Sequence, residues 1–294
     1  MQDVLELPRI VAGVMRWGDW GAKLSTPKYQ ELIEGCIENG VTAFDHADIY
    51  GDYSEEAAFG KVLGEQSSLR QNMQLISKCG IKMMADTRPH YKVKSYDSGK
   101  AHIIASVEHS LRSLQTDYID VLLLHRPDML MDADEIAEAF TILKIEGKVK
   151  AFGVSNFTPS QYELLFSRWP DLVTNQVELS LSHLDALTDG SLDQAQQHRA
   201  TPMIWSPLGG GELISKDSPA STLSRKLTEV AERYSVGIDV IAYAWVLMHP
   251  TLPSVVTGSS KLKRIVRAKE ALNVKLSKEE WYELLEASRG HEVA

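Results

Sequence analysis

The sequence predicts one domain built as a (β/α)8 barrel, and three observations carry that prediction. Strand-like and helix-like segments alternate from end to end of the 294 residues, and eight strands can be counted. The strands are nearly continuous apolar runs such as YIDVLLL (118–124), which implies burial on both faces and a parallel sheet covered by helices. The main rival, a doubly wound sheet, wants a glycine fingerprint after its first strand, and GVMRWGDWG (13–21) lacks one.

RIVAGV (9–14) is the first strand. Thr26-Pro27 then opens a helix, a Thr cap with Pro where its missing N–H does no harm. Leu32, Ile33, Cys36 and Ile37 give that helix one apolar face, and Asn39-Gly40 stops it. Val41 to Phe44 is the second strand, a helix runs from about Ser54 to Leu63, and Met73 to Ser77 is the third strand. IKMMADTRPHYKVKSYDSG (81–99) breaks the rhythm as a long polar loop, and loops of that length are usually functional. Ile103, Ile104, Val107, Leu111 and Leu114 mark a helix near Ala101 to Leu114, before the fourth strand at 118–124. A helix over 132–146 and AFGVS (151–155) as fifth strand follow, with TPSQ (158–161) a capping box. Val173 to Val177, Pro202 to Trp205 and Pro253 to Val256 supply the last three strands.

The net charge of -9 argues against a nucleic-acid or anionic-membrane partner, since phosphates are held by clustered Lys and Arg. Any basic patch in so acidic a chain becomes a candidate local site. Cys36 and Cys79 have no metal-ligand spacing, and a reducing compartment is the simplest reading of two cysteines. MQDVLELPRI does not read as a secretory signal, and no apolar run approaches the roughly 20 residues that span a bilayer. A cytoplasmic soluble protein is expected.

The chemistry collects at the strand ends. Asp45 follows the second strand, Lys78 the third, His125 the fourth, Ser155-Asn156 the fifth, Gln176 and Glu178 the sixth, Ser206 the seventh and Thr257 the eighth. In a barrel these ends converge on one mouth. Taken singly, Asp45 reads as a cap and His125 as a satisfied core histidine. In register on one mouth they read together, because polar groups on buried strands are costly unless paired. A tyrosine hydroxyl titrates near 10, too high for easy proton transfer, and an adjacent lysine favours its ionised form. Asp45 would keep Lys78 charged, Tyr50 would be the acid, and His125 would orient a substrate oxygen. Such a relay hands a proton to a carbonyl oxygen as hydride reaches the carbon.

No side chain donates hydride, so a cofactor must. PLGGGEL (207–213) is a glycine-rich turn able to approach a pyrophosphate, and Trp205 before it offers a face to a flat ring. GSSKLKRIVR (258–267) sits at a helix start and concentrates Lys261, Lys263, Arg264 and Arg267.

FDHADIYGDYSEEAAFG (44–60), LISKCG (75–80), DVLLLHRPD (120–128), GVSNF (153–157), NQVELS (175–180) and IWSPLGGGEL (204–213) occur in this order. They resemble successive segments of the aldo-keto reductases, most of all their bacterial oxidoreductase branch. The resemblance covers nearly the whole chain. It implies a (β/α)8 fold and NADPH-dependent reduction of a small aldehyde or ketone. It implies Tyr50 as proton donor, with Asp45, Lys78 and His125 completing a tetrad. By the same resemblance Ser155, Asn156 and Gln176 grip the nicotinamide carboxamide, and Ser206, Pro207, Leu208, Gly209, Gly210 and Gly211 line the pyrophosphate. Ser259 and Arg264 would hold the adenosine 2′-phosphate. Some positions depart from the family pattern. Trp205 stands where Tyr is usual, Gly258 replaces a basic residue with Lys261 as its substitute, and Arg267-Ala268 replaces a Glu-Asn pair. The chain ends soon after a helix near Lys278 to Ala287, so substrate selection is expected to fall to Trp17, Trp20 and the 81–99 loop.

Two other functions are compatible with the residues. A mouth lysine suits a Schiff-base aldolase with Lys78 as nucleophile. A cofactor-holding, redox-sensing subunit like the potassium-channel beta subunits would turn over slowly. Fold and tetrad do not name the substrate, and the oligomeric state stays open.

Overall fold

The computed structural model describes residues 5–215 and 221–293. Eight parallel strands close into a barrel, in the order β1 (Ile10–Gly13), β10 (Ser254–Thr257), β9 (Met203–Trp205), β8 (Leu172–Glu178), β7 (Val149–Ser155), β6 (Ile119–Leu124), β3 (Gln74–Cys79) and β2 (Ala43–Asp45), which pairs with β1 again. Every residue of β6 is buried, as its unbroken apolar sequence requires of a strand covered on both faces.

Helices α1 (Thr26–Glu38), α3 (Glu55–Glu65), α4 (Lys100–Leu114), α5 (Ala133–Ile145), α6 (Pro159–Phe166) and α7 (Ser191–His198) follow successive strands. A single kinked turn, α2 (Tyr50–Tyr53), precedes α3. Two helices, α8 (Thr222–Tyr234) and α9 (Ile238–Leu247), link β9 to β10. The short α10 (Leu262–Arg267) follows β10, and α11 (Lys278–Arg289) ends the fold. Among the described residues no helix is long and apolar enough to cross a membrane.

Two local readings change. Ser25, not Thr26, is the N-cap of α1, and its side chain makes no cap hydrogen bond. The 81–99 segment is not all loop: β4 (Ile81–Lys82) and β5 (Ser95–Tyr96) pair antiparallel within it. The helix after β10 begins at Leu262, with Lys261 as its N-cap. The capping box on α6 is present as read, with Thr158 accepting from the Gln161 N–H and Gln161 from the Thr158 N–H.

Val11, Ala43, Ile76, Val121, Leu123, Ala151, Met203 and Val256, one or two from each of seven strands, pack together inside the barrel. This plug is apolar, so the interior is a core and the polar strand ends are confined to its rim. The barrel closes where Arg9 donates to the carbonyls of Pro253 at 2.9 Å and Leu247 at 2.8 Å. On the outside, Trp245 of α9 and Trp281 of α11 stack at 4.9 Å, and each indole N–H donates to the other's backbone carbonyl.

Candidate active site

Asp45 is the last residue of β2, and its neighbour on β3 in the barrel wall is Ile76. Lys78, two residues on, therefore rises above Asp45 at the same rim. Its ammonium donates to Asp45 Oδ2 at 2.7 Å, to the His46 carbonyl at 2.8 Å and to the Tyr50 hydroxyl at 3.1 Å. All three of its protons are thus used, at 1% exposure of the lysine. Burial pulls the ammonium's pKa down, but Asp45 and Tyr50 outweigh burial, and it ends above the ordinary lysine value.

Tyr50 reaches the lysine because the chain turns sharply behind it. Gly51 and Asp52 both adopt left-handed backbone (φ 58° and 55°), which holds the tyrosine against the rim. Lys78 draws the Tyr50 phenol down as the sequence suggests, yet burial is the larger effect and the net shift is upward. The hydroxyl therefore holds its proton at neutral pH. His125 faces Tyr50 with ring centres 5.9 Å apart and planes at 80°. Burial, helped by the charges of Lys78, Arg126 and Lys94, holds its pKa well below the ordinary histidine value. The imidazole is neutral, and its buried Nδ1 has no hydrogen-bond partner.

The next three strand ends are knitted together. Gln176 Nε2 donates to Asp45 Oδ1 at 2.9 Å, crossing the mouth from β8 to β2. Ser155 Oγ donates to the Gln176 carbonyl at 3.0 Å, and Asn156 Nδ2 donates to Ser155 Oγ at 2.8 Å. Trp205 Nε1 donates to Asn156 Oδ1 at 3.0 Å, fixing the half-buried indole at the end of β9. Asn156 itself is left-handed (φ 59°) directly after β7, so the chain turns there as it leaves the barrel wall.

Past Trp205, Ser206, Gly209, Gly210 and Gly211 all have positive φ. A Cβ on Gly210 or Gly211 would meet nothing within 4 Å, so this turn presents open backbone. Pro207 is buried and Leu208 half-buried beneath it. Lys261, Lys263 and Arg264 are exposed and make no ion pair among the described residues, while Ser259 Oγ accepts from the Lys261 N–H at 3.1 Å. Arg267, the fourth cation of that run, is committed to Asp239 of α9 at 2.7 Å. A fixed indole face, a left-handed glycine turn and three unpaired cations fit a nicotinamide dinucleotide with an extra phosphate.

Of the two pocket tryptophans, Trp20 lies beside Tyr50, with ring centres 6.0 Å apart. Trp17 is not brought to the mouth. It is fully buried among Tyr29, Phe44 and Phe59, and its indole N–H donates to the Ser259 carbonyl at 2.9 Å. A large apolar ring four residues past the end of β1 finds more area to bury under α1 and α3 than at a wet rim.

Sequence reading missed a second layer of polar groups. Glu56, in the first turn of α3, accepts from Ser77 Oγ at 2.6 Å, and burial raises its pKa to about 7. His46 is wholly buried edge-on to Phe59, and burial lowers its pKa to about 3. Asp48 donates its backbone N–H to the Lys78 carbonyl at 3.0 Å, and burial, then Glu56, raises its carboxyl well above the usual range. The only signal was their place in the FDHADIYGDYSEE run, where charged residues at a helix start read as surface groups.

The Aldo/keto reductase family model matches residues 9–289. The oxidoreductase YdhF of Escherichia coli is 47% identical over 98% of this chain and 96% of its own length. A 6-dehydroglucose reductase of Agrobacterium fabrum is 43% identical over 100% of this chain and 98% of its own. An aldo/keto reductase structure from Klebsiella pneumoniae, in complex with NADP and acetate, is 26% identical with a TM-score of 0.78, covering 97% of this chain and 92% of that one. The chain belongs to the aldo/keto reductase family and is an oxidoreductase of carbonyl compounds.

Proposed function

We propose that this protein reduces an aldehyde or ketone to the alcohol with NADPH, and that Tyr50 delivers the proton. The observation that carries the reading is the buried ammonium of Lys78, shared between Asp45 and Tyr50 at the barrel mouth. When bound, NADPH supplies the hydride that reduces the carbonyl carbon. Ser155, Asn156 and Gln176 would hold its carboxamide, Trp205 its ring, residues 206–211 its pyrophosphate, and Ser259, Lys261 and Arg264 its 2′-phosphate. The Klebsiella structures with NADP and with NADPH support that choice of cofactor.

The acid step follows from the hydrogen bonds. Lys78 donates to the Tyr50 oxygen, so the hydroxyl proton is left to point at a substrate oxygen. As that proton transfers, the carbonyl π pair becomes the new O–H bond and Tyr50 is left as a phenolate. Lys78 stabilises the phenolate until solvent returns the proton. Neutral His125 donates one N–H to the same substrate oxygen and fixes its direction. Asp45 touches no substrate; it holds the ammonium charged and in place.

A lysine so held is a poor nucleophile, because Schiff-base chemistry needs a free amine lone pair. The substrate is a small molecule, with no nucleic-acid or membrane partner, and the site of action is the cytoplasm. Following NADPH consumption against a panel of aldehydes tests the reading. Tyr50→Phe should lose about 10²- to 10⁴-fold in turnover while still quenching tryptophan fluorescence on NADPH addition. A Tyr50→Phe enzyme as fast as the parent would sink it, and rapid multiple turnover would exclude a sensing subunit.

A further inference from the structure

We propose that the site selects carbonyl substrates that also carry an anionic group, bound by Arg126 at the rim. The inference rests on the reductase reading above and names its substrate class.

Arg126 directly follows His125 at the end of β6 and is half-buried. Its guanidinium carbon stands 5.8 Å from the centre of the Trp205 ring, so the side chain spans the mouth from β6 to β9. Its charge acts on both Tyr50 and His125, the two groups that would face the carbonyl oxygen. Lys94, exposed just before β5, adds its charge at His125.

Neither cation has a carboxylate partner among the described residues. The acids nearby are engaged elsewhere. Asp45 binds Lys78 and Gln176, Asp128 accepts from the Ser98 N–H and hydroxyl and from the Leu130 N–H, and Glu178 faces His183 at 3.7 Å. Other arginines with limited exposure are tied into the scaffold: Arg9 to two carbonyls, Arg70 to Asp120 at 2.7 Å, Arg88 to His109 Nε2 at 2.9 Å and Arg267 to Asp239 at 2.7 Å. In a chain of net charge -9, a half-buried guanidinium with neither a hydrogen bond nor an ion pair among the described residues is the exception. Partial desolvation of such a group is offset when an anion arrives, and a guanidinium binds carboxylate or phosphate in bidentate fashion. The cofactor's phosphates are assigned to the ends of β9 and β10, so the anion that reaches Arg126 is the substrate's own.

Matched probe pairs test this with the full-length protein and NADPH: para-carboxybenzaldehyde against benzaldehyde, and glyceraldehyde phosphate against glyceraldehyde. For at least one pair kcat/KM for the anionic member should exceed the neutral one about tenfold, mainly through KM, and the pair that responds identifies carboxylate or phosphate. Arg126→Gln should bring that ratio close to unity, Arg126→Lys should retain part of it, and added salt should raise KM for the anionic probe alone. Ratios near unity in the parent enzyme, or a ratio that Arg126→Gln leaves unmoved while NADPH binding weakens, would overturn the inference and leave the reductase reading standing. No reduction of any probe would overturn both.

Discussion

Lys78 bears a charge at a depth where charges are rarely found, and its three partners explain how it stays there. Removing the ammonium leaves Asp45 buried with only the Gln176 amide facing it. We expect Lys78→Met to cost about 3–5 kcal/mol in urea unfolding, because an uncompensated buried carboxylate remains, and to abolish turnover. Asp45→Asn should cost a comparable amount, since the ammonium is then the uncompensated charge and the amide's single oxygen cannot accept from both Lys78 and Gln176. For pH, the folded-state pKa of Lys78 lies above the ordinary value. The stability of this pair is therefore fully present below the ordinary lysine range and is lost as pH rises through the raised value. Tyr50 is also shifted upward, and catalysis needs its proton. Reductive kcat/KM should then be level through the neutral range and fall only on the alkaline limb, so a decline beginning below neutrality would contradict Tyr50 as the acid.

Helix α3 shows the same logic one level up. Its first turn places Glu55 and Glu56 on the buried face, where Tyr29 of α1 donates to Glu55 at 2.7 Å and Ser77 of β3 donates to Glu56 at 2.6 Å. The helix is thereby tied to α1 on one side and to the catalytic strand on the other. Burial raises both carboxyls to about 7. A carboxyl raised above its unfolded value binds more protons folded than unfolded. The stability it contributes is present at and below the ordinary carboxylate range and is lost as pH rises through about 7. Glu56→Gln should thus gain on the parent protein by on the order of 3 kcal/mol between about pH 5 and about pH 8 in urea midpoints. An unchanged difference would mean Glu56 is not protonated in the folded chain. On the same helix, a Cβ at Gly60 would lie 1.9 Å from the Ser113 carbonyl of α4. Gly60→Ala should push α3 from α4 and cost about 1–3 kcal/mol, read from the thermal midpoint.

At the scale of the molecule, β1 pairs with both β10 and β2, and the shared barrel plug leaves no obvious seam. We take the chain as one domain. Calorimetry should show a single transition, and NADPH should raise its midpoint in proportion to the logarithm of its concentration. Two resolved transitions would refute the single domain. Acting as a clamp between α9 and α11, the reciprocal Trp245–Trp281 bonds make Trp281→Ala a probe of the outer layer: we expect earlier unfolding with catalysis retained below the new midpoint.

By itself the sequence determined the barrel and the members of its rim. Apolar runs at the period of strands, alternating with helical faces, leave few other ways to bury so much surface, and strand ends in a parallel barrel must share one mouth. That is why Asp45, Lys78, His125, Ser155 and Gln176 could be gathered from positions far apart in the chain. What tertiary structure alone decided was depth and pairing. Trp17 and Trp20 sit three residues apart in the same loop, yet one is core and the other borders Tyr50, because the choice turns on which helices pack behind them. Arg264 and Arg267 belong to one basic run, yet among the described residues only Arg267 meets an acid, supplied by a different helix. The net upward shift of Tyr50 belongs here too, since desolvation depends on everything around a group and not on its neighbours in sequence.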